Sequence, residues 1–262
     1  MIYDDEKDLP AKVQSSNLNE ELGMVNYVFS DKTGTLTQNI MEFKKFSAGD
    51  HSYGSSNPSK GIHYEPGVTN VNFECEKFDE HWTKAIKETG EPLNQKIAEF
   101  NKILAICNTI IIEEKNGVLM YNASSPDELA LTNGARFFGY EFQERDENSN
   151  VVIYNAFTQE KSKYELLNVI EFTSSRKRMS VVVREPNGKI MIYTKGADSI
   201  IIPRLKEGQQ ELIDVTQSFL DEYANEGLRT LLVGQREIDE DEYAKWNKRY
   251  VNALCALVNR EK

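Results

Sequence analysis

Apolar residues along this chain follow two spacings. From 96 to 107, Ile97, Phe100, Ile103, Leu104 and Cys107 recur at helical intervals, which predicts a helix with one buried face. Short runs rich in β-branched and aromatic residues predict strands at 27–30, 41–46, 109–113, 118–122, 151–154, 164–172, 178–184, 189–193 and 228–233. Asn116-Gly117 and Pro186-Asn187-Gly188 mark tight turns between neighbouring strands, and short turns imply antiparallel pairing. Ser125-Pro126-Asp127-Glu128 reads as a helix start: Ser125 as N-cap, Pro126 in the first helical position and Glu128 closing a capping box. Further helices are predicted from 212 to 223, ending near Gly227, and from 241 to 259, with Trp246, Tyr250, Leu254 and Leu257 on one side. Residues 1–23 are polar and acidic and read as a linker. The Gly, Ser, Pro and Asn of 47–70 read as a long surface excursion. The expected fold class is α/β of the α+β kind, an antiparallel sheet flanked by helices.

Composition narrows the partners. A chain of 262 residues can bury a sizeable core as one large domain or two smaller ones. Its 31 basic and 42 acidic residues leave a net charge of −11, which argues against nucleic acid and against a basic membrane-facing surface. The sequence shows no apolar run near the roughly 20 residues a bilayer span needs and no signal peptide, so it reads as a soluble piece. Cys75, Cys107 and Cys255 have neither zinc-site spacing nor the even count of a disulfide framework, which fits a reducing, cytosolic setting. His51, His63 and His81 lack metal-ligand spacing and read as surface or loop residues.

Candidate chemistry begins at residues 27–37, where an apolar run delivers Asp31 into a loop of Gly34 and three threonines. A carboxylate at a strand end can attack a phosphoryl group to form an aspartyl-phosphate. Lys32, Thr33, Thr35 and Thr37 could hold the remaining phosphate oxygens while Mg²⁺ offsets their charge. Taken alone, an Asp followed by Lys-Thr-Gly reads as an ordinary strand-to-loop turn, and the longer match is what sets it apart. Phe172, beside Ser174 and Lys177, is either a core residue or a ring that stacks on a base. Lys195, beside a glycine at a strand end, suits a phosphate or base. Asp198 is placed to cap the next helix, and Arg229 among apolar neighbours wants an anionic partner.

Residues 31–37, Asp-Lys-Thr-Gly-Thr-Leu-Thr, with Phe29-Ser30 before and Gln38-Asn39 after, resemble the phosphorylation loop of the P-type ATPases. Ser125-Pro126-Asp127-Glu128, the run from Glu171 to Ser180, Lys195-Gly196-Ala197-Asp198 and Gly227-Leu228-Arg229-Thr230 follow in the order seen in the type IV members, the phospholipid flippases. The resemblance implies that Asp31 is phosphorylated and that Asp31 and the Thr33 carbonyl help bind Mg²⁺. It also implies that ATP is bound by Asp31, Lys32, Thr33, Glu128, Phe172, Ser174, Lys177, Lys195, Arg229 and Thr230. It divides the chain into a linker (1–26), the first strand and loop of an incomplete haloacid-dehalogenase-like phosphorylation domain (27–42) and a nucleotide-binding N domain (43–262). The family's downstream Thr-Gly-Asp and Gly-Asp-Gly-x-Asn-Asp segments do not occur here, so the resemblance implies a split phosphorylation domain. Its other implications are a multi-pass membrane parent with this segment on the cytosolic side, a phospholipid reached through the membrane part, and an accessory membrane subunit. Asn108 stands where the family often has His. Two other classes share features. Haloacid-dehalogenase phosphatases usually carry a second Asp where this chain has Thr33, and a non-catalytic nucleotide sensor would need only the Phe172, Lys195 and Arg229 half.

Overall fold

The computed structural model describes residues 3–4, 8–10, 12, 18–58 and 67–255. The chain divides into two compact units, 1–40 and 41–262. The first holds a two-residue strand pairing, Tyr3–Asp4 with Leu9–Pro10, and a short helix, α1 (Leu18–Gly23). Residues 27–30 form no strand, contrary to the sequence expectation. Tyr27, Val28 and Phe29 lie in irregular coil and are solvent-exposed, Phe29 at 95%, because no strand among the described residues pairs with them. After Asp31 the chain turns through Lys32–Leu36, with Gly34 at φ +79° and the Thr37 amide donating to the Lys32 carbonyl.

The second unit begins with a hairpin inside the stretch expected to be a surface excursion. Strands β1 (Lys45–Ala48) and β2 (His51–Gly54) are joined by Gly49-Asp50, Gly49 supplying the positive φ that such a tight turn requires. The expected strand at 41–46 therefore begins later, and Phe43 contributes only an isolated bridge to Val71. An irregular helix, α2, runs through Glu76–Phe78, Asp79–Lys84 and Ala85–Thr89, and α3 (Gln95–Ile106) follows on an Asn94 cap. The histidines are not plain surface residues: His51 on β2 and His81 in α2 are half-buried with ring centroids 5.1 Å apart, and His81 Nδ1 lies 3.0 Å from the Tyr53 hydroxyl. His63 and Leu257 lie outside the described residues.

Hairpin β3 (Ile111–Lys115) and β4 (Val118–Asn122) turns through Asn116-Gly117, both at positive φ as the sequence predicts. Helix α4 (Pro126–Phe137) starts on Ser125, whose hydroxyl accepts from the Glu128 amide at 3.4 Å. Next comes a six-stranded antiparallel meander: β5 (Tyr140–Arg145), β6 (Val151–Asn155), β7 (Glu160–Ile170), β8 (Arg178–Arg184), β9 (Ile190–Gly196) and β10 (Leu232–Ile238). β7 ends two residues before Phe172, and β10 starts four residues later than expected.

Between β9 and β10 lie a short helix, α5 (Asp198–Ile201), and α6 (Gln210–Asn225). Asp198 is the first residue of α5 rather than its cap, and its carboxylate accepts from the Ser199 amide at 2.7 Å. α6 closes in a Schellman turn, as Gly227 predicts: the Gly227 amide donates to the Ala224 carbonyl and the Leu228 amide to the Tyr223 carbonyl, with Gly227 at φ +76°. Helix α7 (Glu240–Leu254) lies along β7, its Tyr243 and Tyr250 hydroxyls donating to the Asn168 side chain and the Val169 carbonyl.

The core is one cluster that mixes aromatic and aliphatic side chains. Phe46 stacks on Phe100 at 5.0 Å and on Tyr53 at 5.1 Å, with Phe73, Phe78 and Phe138 packed edge-on or tilted around it. From the sheet, Val181, Val183 and Tyr193 join this core, alternate positions doing so as the strand period demands. Half-buried Lys45 bonds Glu222 and Glu226 and fastens the β1–β2 hairpin to α6. The architecture matches the expected class, an antiparallel sheet flanked by helices.

Candidate functional site

Antiparallel order puts the end of β7, the start of β8, the end of β9 and the start of β10 at the same edge of the sheet. The register fixes this: Arg178 pairs with Gly196, Gly196 with Leu232, and Ser180 with Ile170. Loop 171–177, Lys195 and the segment before β10 therefore converge there. They carry Phe172, Ser174, Lys177, Lys195, Arg229 and Thr230.

Lys195 is the buried member, 8% exposed. Its ammonium lies 2.8 Å from Glu128 Oε1, which brings the first turn of α4 to this edge. Glu128 Oε2 accepts a 2.5 Å hydrogen bond from Thr109. The capping box is thus half made. Ser125 caps the Glu128 amide, but the Glu128 carboxylate turns inward to Lys195 instead of back to Ser125. Burial pushes the Glu128 carboxyl up, but the Lys195 charge and the hydrogen bonds from Lys195 and Thr109 outweigh it and hold the group below its ordinary value. Cys107, behind Lys195, is a buried thiol with Sγ 3.9 Å from the Tyr193 carbonyl, and burial pushes it up to about 11.

Arg229 finds the anionic partner its setting calls for. Its guanidinium sits 2.9 and 2.7 Å from the two carboxylate oxygens of Asp127, next to Glu128, in an exposed pair. Thr230 is half-buried one residue on. Phe172 is 60% exposed, which removes the core reading of that ring. Ser174 and Lys177 are exposed too, and among the described residues their side chains have no hydrogen-bond or ion-pair partner. Lys177 adopts φ +51°, and its carbonyl accepts from the Ala197 amide at 3.0 Å, which ties loop 171–177 to the end of β9.

Within the first unit Asp31, Lys32 and Thr33 are exposed, and the Asp31 carboxylate makes no hydrogen bond among the described residues. No group of three or more His, Cys, Asp or Glu that could hold a metal occurs among the described residues. Sequence reasoning missed Thr109 and Asp127 as partners of the site, and it gave Arg176 no role of its own. Thr109 is distant from Glu128 in sequence and carries no local signal. Asp127 is visible only once Arg229 is brought to it.

The described architecture is thus a helix-flanked antiparallel sheet that carries two cation–carboxylate pairs and an exposed aromatic ring at one edge. A family model described as P-type ATPase, cytoplasmic domain N, matches residues 96–259, and the chain belongs to that family. It is 42% identical over 262 residues to human phospholipid-transporting ATPase ID, covering 97% of this chain and 21% of that protein. It is also 42% identical over 261 residues to phospholipid-transporting ATPase DRS2 of Saccharomyces cerevisiae, covering 99% of this chain and 19% of that protein. Human phospholipid-transporting ATPase IC is 40% identical over 268 residues, 99% of this chain and 21% of that protein. The chain thus spans about a fifth of the length of the curated relatives it matches. No helix among the described residues is long and apolar enough to cross a membrane.

Proposed function

We propose that residues 43–262 are the ATP-binding part, residues 27–42 the first segment of the phosphorylation domain, and 1–26 a linker, of a P-type ATPase that moves phospholipid between bilayer leaflets. The observation that carries the ATP reading is the shared sheet edge. An exposed aromatic ring and three cations there suit an adenine at one end and a phosphate chain at the other. In this reading Phe172 stacks on the base, and Ser174, Lys177, Lys195, Arg229 and Thr230 surround the nucleotide with Glu128. Asp31 attacks the γ-phosphorus, forming an aspartyl-phosphate as the bond to the β-phosphate oxygen breaks and ADP leaves. Lys32 and Thr33 hold the transferred group. The Asp31 carboxylate and Thr33 carbonyl are hard oxygen donors of the kind Mg²⁺ takes, and bound Mg²⁺ would offset phosphate charge there. The relatives' names support phospholipid as the transported molecule. A membrane location with this segment on the cytosolic side, and an accessory membrane subunit, complete the proposal.

Calorimetric titration of the 262-residue chain with ATP tests the site. Phe172→Ala is expected to lose roughly 1–3 kcal/mol of stacking while unfolding remains cooperative, and Lys195→Gln and Arg229→Gln are expected to weaken binding as well. Wild-type affinity in all three variants would reject the nucleotide reading.

A further inference from the structure

Loop 171–177 presents a large apolar ring to solvent, an arrangement with nothing in its own burial to hold it. What holds the loop is Arg176. One terminal nitrogen of its guanidinium lies 3.1 Å from the Ile170 carbonyl, 2.9 Å from the Glu171 carbonyl and 3.1 Å from the Arg178 carbonyl, so two N–H groups are shared among three acceptors. The other terminal nitrogen reaches the Ser180 hydroxyl at 3.4 Å, and Ser180 accepts from Thr194, the neighbour of Lys195, at 2.9 Å. The loop is closed from within as well: the Thr173 hydroxyl accepts from the Arg176 amide and the Thr173 carbonyl from the Lys177 amide. The guanidinium thus clamps the last residue of β7, the peptide just before Phe172 and the first residue of β8. Its planar fork of donors suits this, because one terminal nitrogen faces the carbonyls while the other reaches Ser180, a span that a single ammonium nitrogen cannot cover. Every hydrogen bond that the Arg176 guanidinium makes among the described residues is to the protein's own loop and strands.

We propose that Arg176 is a positioning residue for the nucleotide base: it fixes the direction in which Phe172 leaves the strand, so that the ring is ordered before the base arrives. This rests on the ATP reading above. An exposed ring on a loose loop would have to be ordered on binding, and that cost would be subtracted from the stacking.

The test compares ATP with inorganic tripolyphosphate, which carries the charge but no base, on the 262-residue chain. Thermal unfolding serves as the control. Arg176→Met keeps the length and removes every donor. It is expected to weaken ATP binding about threefold or more, a part of what the full loss of stacking gives, while tripolyphosphate binding stays within about twofold of wild type. Arg176→Lys is expected to fall between Met and wild type. In the double variant Phe172→Ala/Arg176→Met, ATP affinity should equal that of Phe172→Ala alone, because the clamp acts through the ring. Should Arg176→Met not fold, Arg176→Lys and its combination with Phe172→Ala carry the same comparison. Equal losses for ATP and tripolyphosphate, or full additivity in the double variant, would overturn the proposal. If the wild-type chain itself prefers ATP to tripolyphosphate by nothing, base stacking fails and this inference with it. If wild type discriminates and Arg176→Met discriminates equally, only the positioning role falls.

Discussion

Glu128 and Lys195 share a hydrogen-bonded ion pair at 2.8 Å with little water around either side chain. Two charges so placed repay their desolvation only through each other and through the extra bond from Thr109. Since the folded Glu128 carboxyl lies below its ordinary value of 4.5, the sign of the pH dependence is fixed. The pair's contribution to stability is complete above that ordinary value and is lost as pH falls through the lower folded one. Glu128→Gln should therefore unfold more easily at pH 7, toward the lower end of the roughly 3–5 kcal/mol that an uncompensated buried charge costs, because the amide oxygen still accepts from Lys195. The gap between variant and wild type should close as pH drops below the folded value, where Glu128 is itself neutral. Urea unfolding at a series of pH values reads this directly, and a gap that is constant with pH would show that the carboxylate charge does not matter. The exposed Arg229–Asp127 pair belongs to the other regime: water and salt screen it, so it contributes about 0–1 kcal/mol to the fold.

At the level of elements, the site depends on how closely β8 and β9 approach. A Cβ on Gly196 would lie 2.5 Å from Arg178 Cβ and 2.7 Å from the Lys177 carbonyl, so backbone would have to move beside Lys195. Gly196→Ala should cost about 1–3 kcal/mol, the usual range for overpacking, and weaken ATP binding. Gly234→Ala, across the sheet on β10, meets only Ile201 at 3.9 Å and should be nearly neutral in both melting and titration. Equal effects at the two positions would refute the steric account. Elements built on local signals were legible in the sequence: α3 from its apolar period, the β3–β4 turn from Asn116-Gly117, the α4 start from Ser125-Pro126, the α6 end from Gly227. The β1–β2 hairpin was missed although Gly49-Asp50 lies between Phe46 and Tyr53, because the polar residues after it outweighed a two-residue signal. β5 was missed although Tyr140 and Phe142 alternate with polar residues. The site was legible as residue types at strand ends. Its pairings were not, because Lys195 with Glu128 and Arg229 with Asp127 depend on which strands and helices meet.

For the whole molecule, the chemistry proposed for Asp31 and the binding proposed for the sheet edge belong to different compact units. In-line phosphoryl transfer needs the attacking carboxylate, the metal and the phosphorus held at reacting distance, roughly 3–3.5 Å. Binding energy that does not orient the reacting group leaves the rate unchanged. The sheet edge is built of ordered strands, whereas Asp31 lies in an exposed turn whose carboxylate accepts no hydrogen bond among the described residues. Among the described residues no hydrogen bond fixes the direction of the Asp31 carboxylate, so the nucleophile is not pre-positioned. The 262-residue chain given Mg²⁺ and γ-labelled ATP should therefore bind nucleotide, in a manner sensitive to Phe172, and accumulate far less than stoichiometric label on Asp31. Acid quench followed by mapping of labelled peptides checks it. Near-stoichiometric label on Asp31, absent in Asp31→Asn, would mean that the two units of this chain assemble a complete phosphoryl-transfer site by themselves.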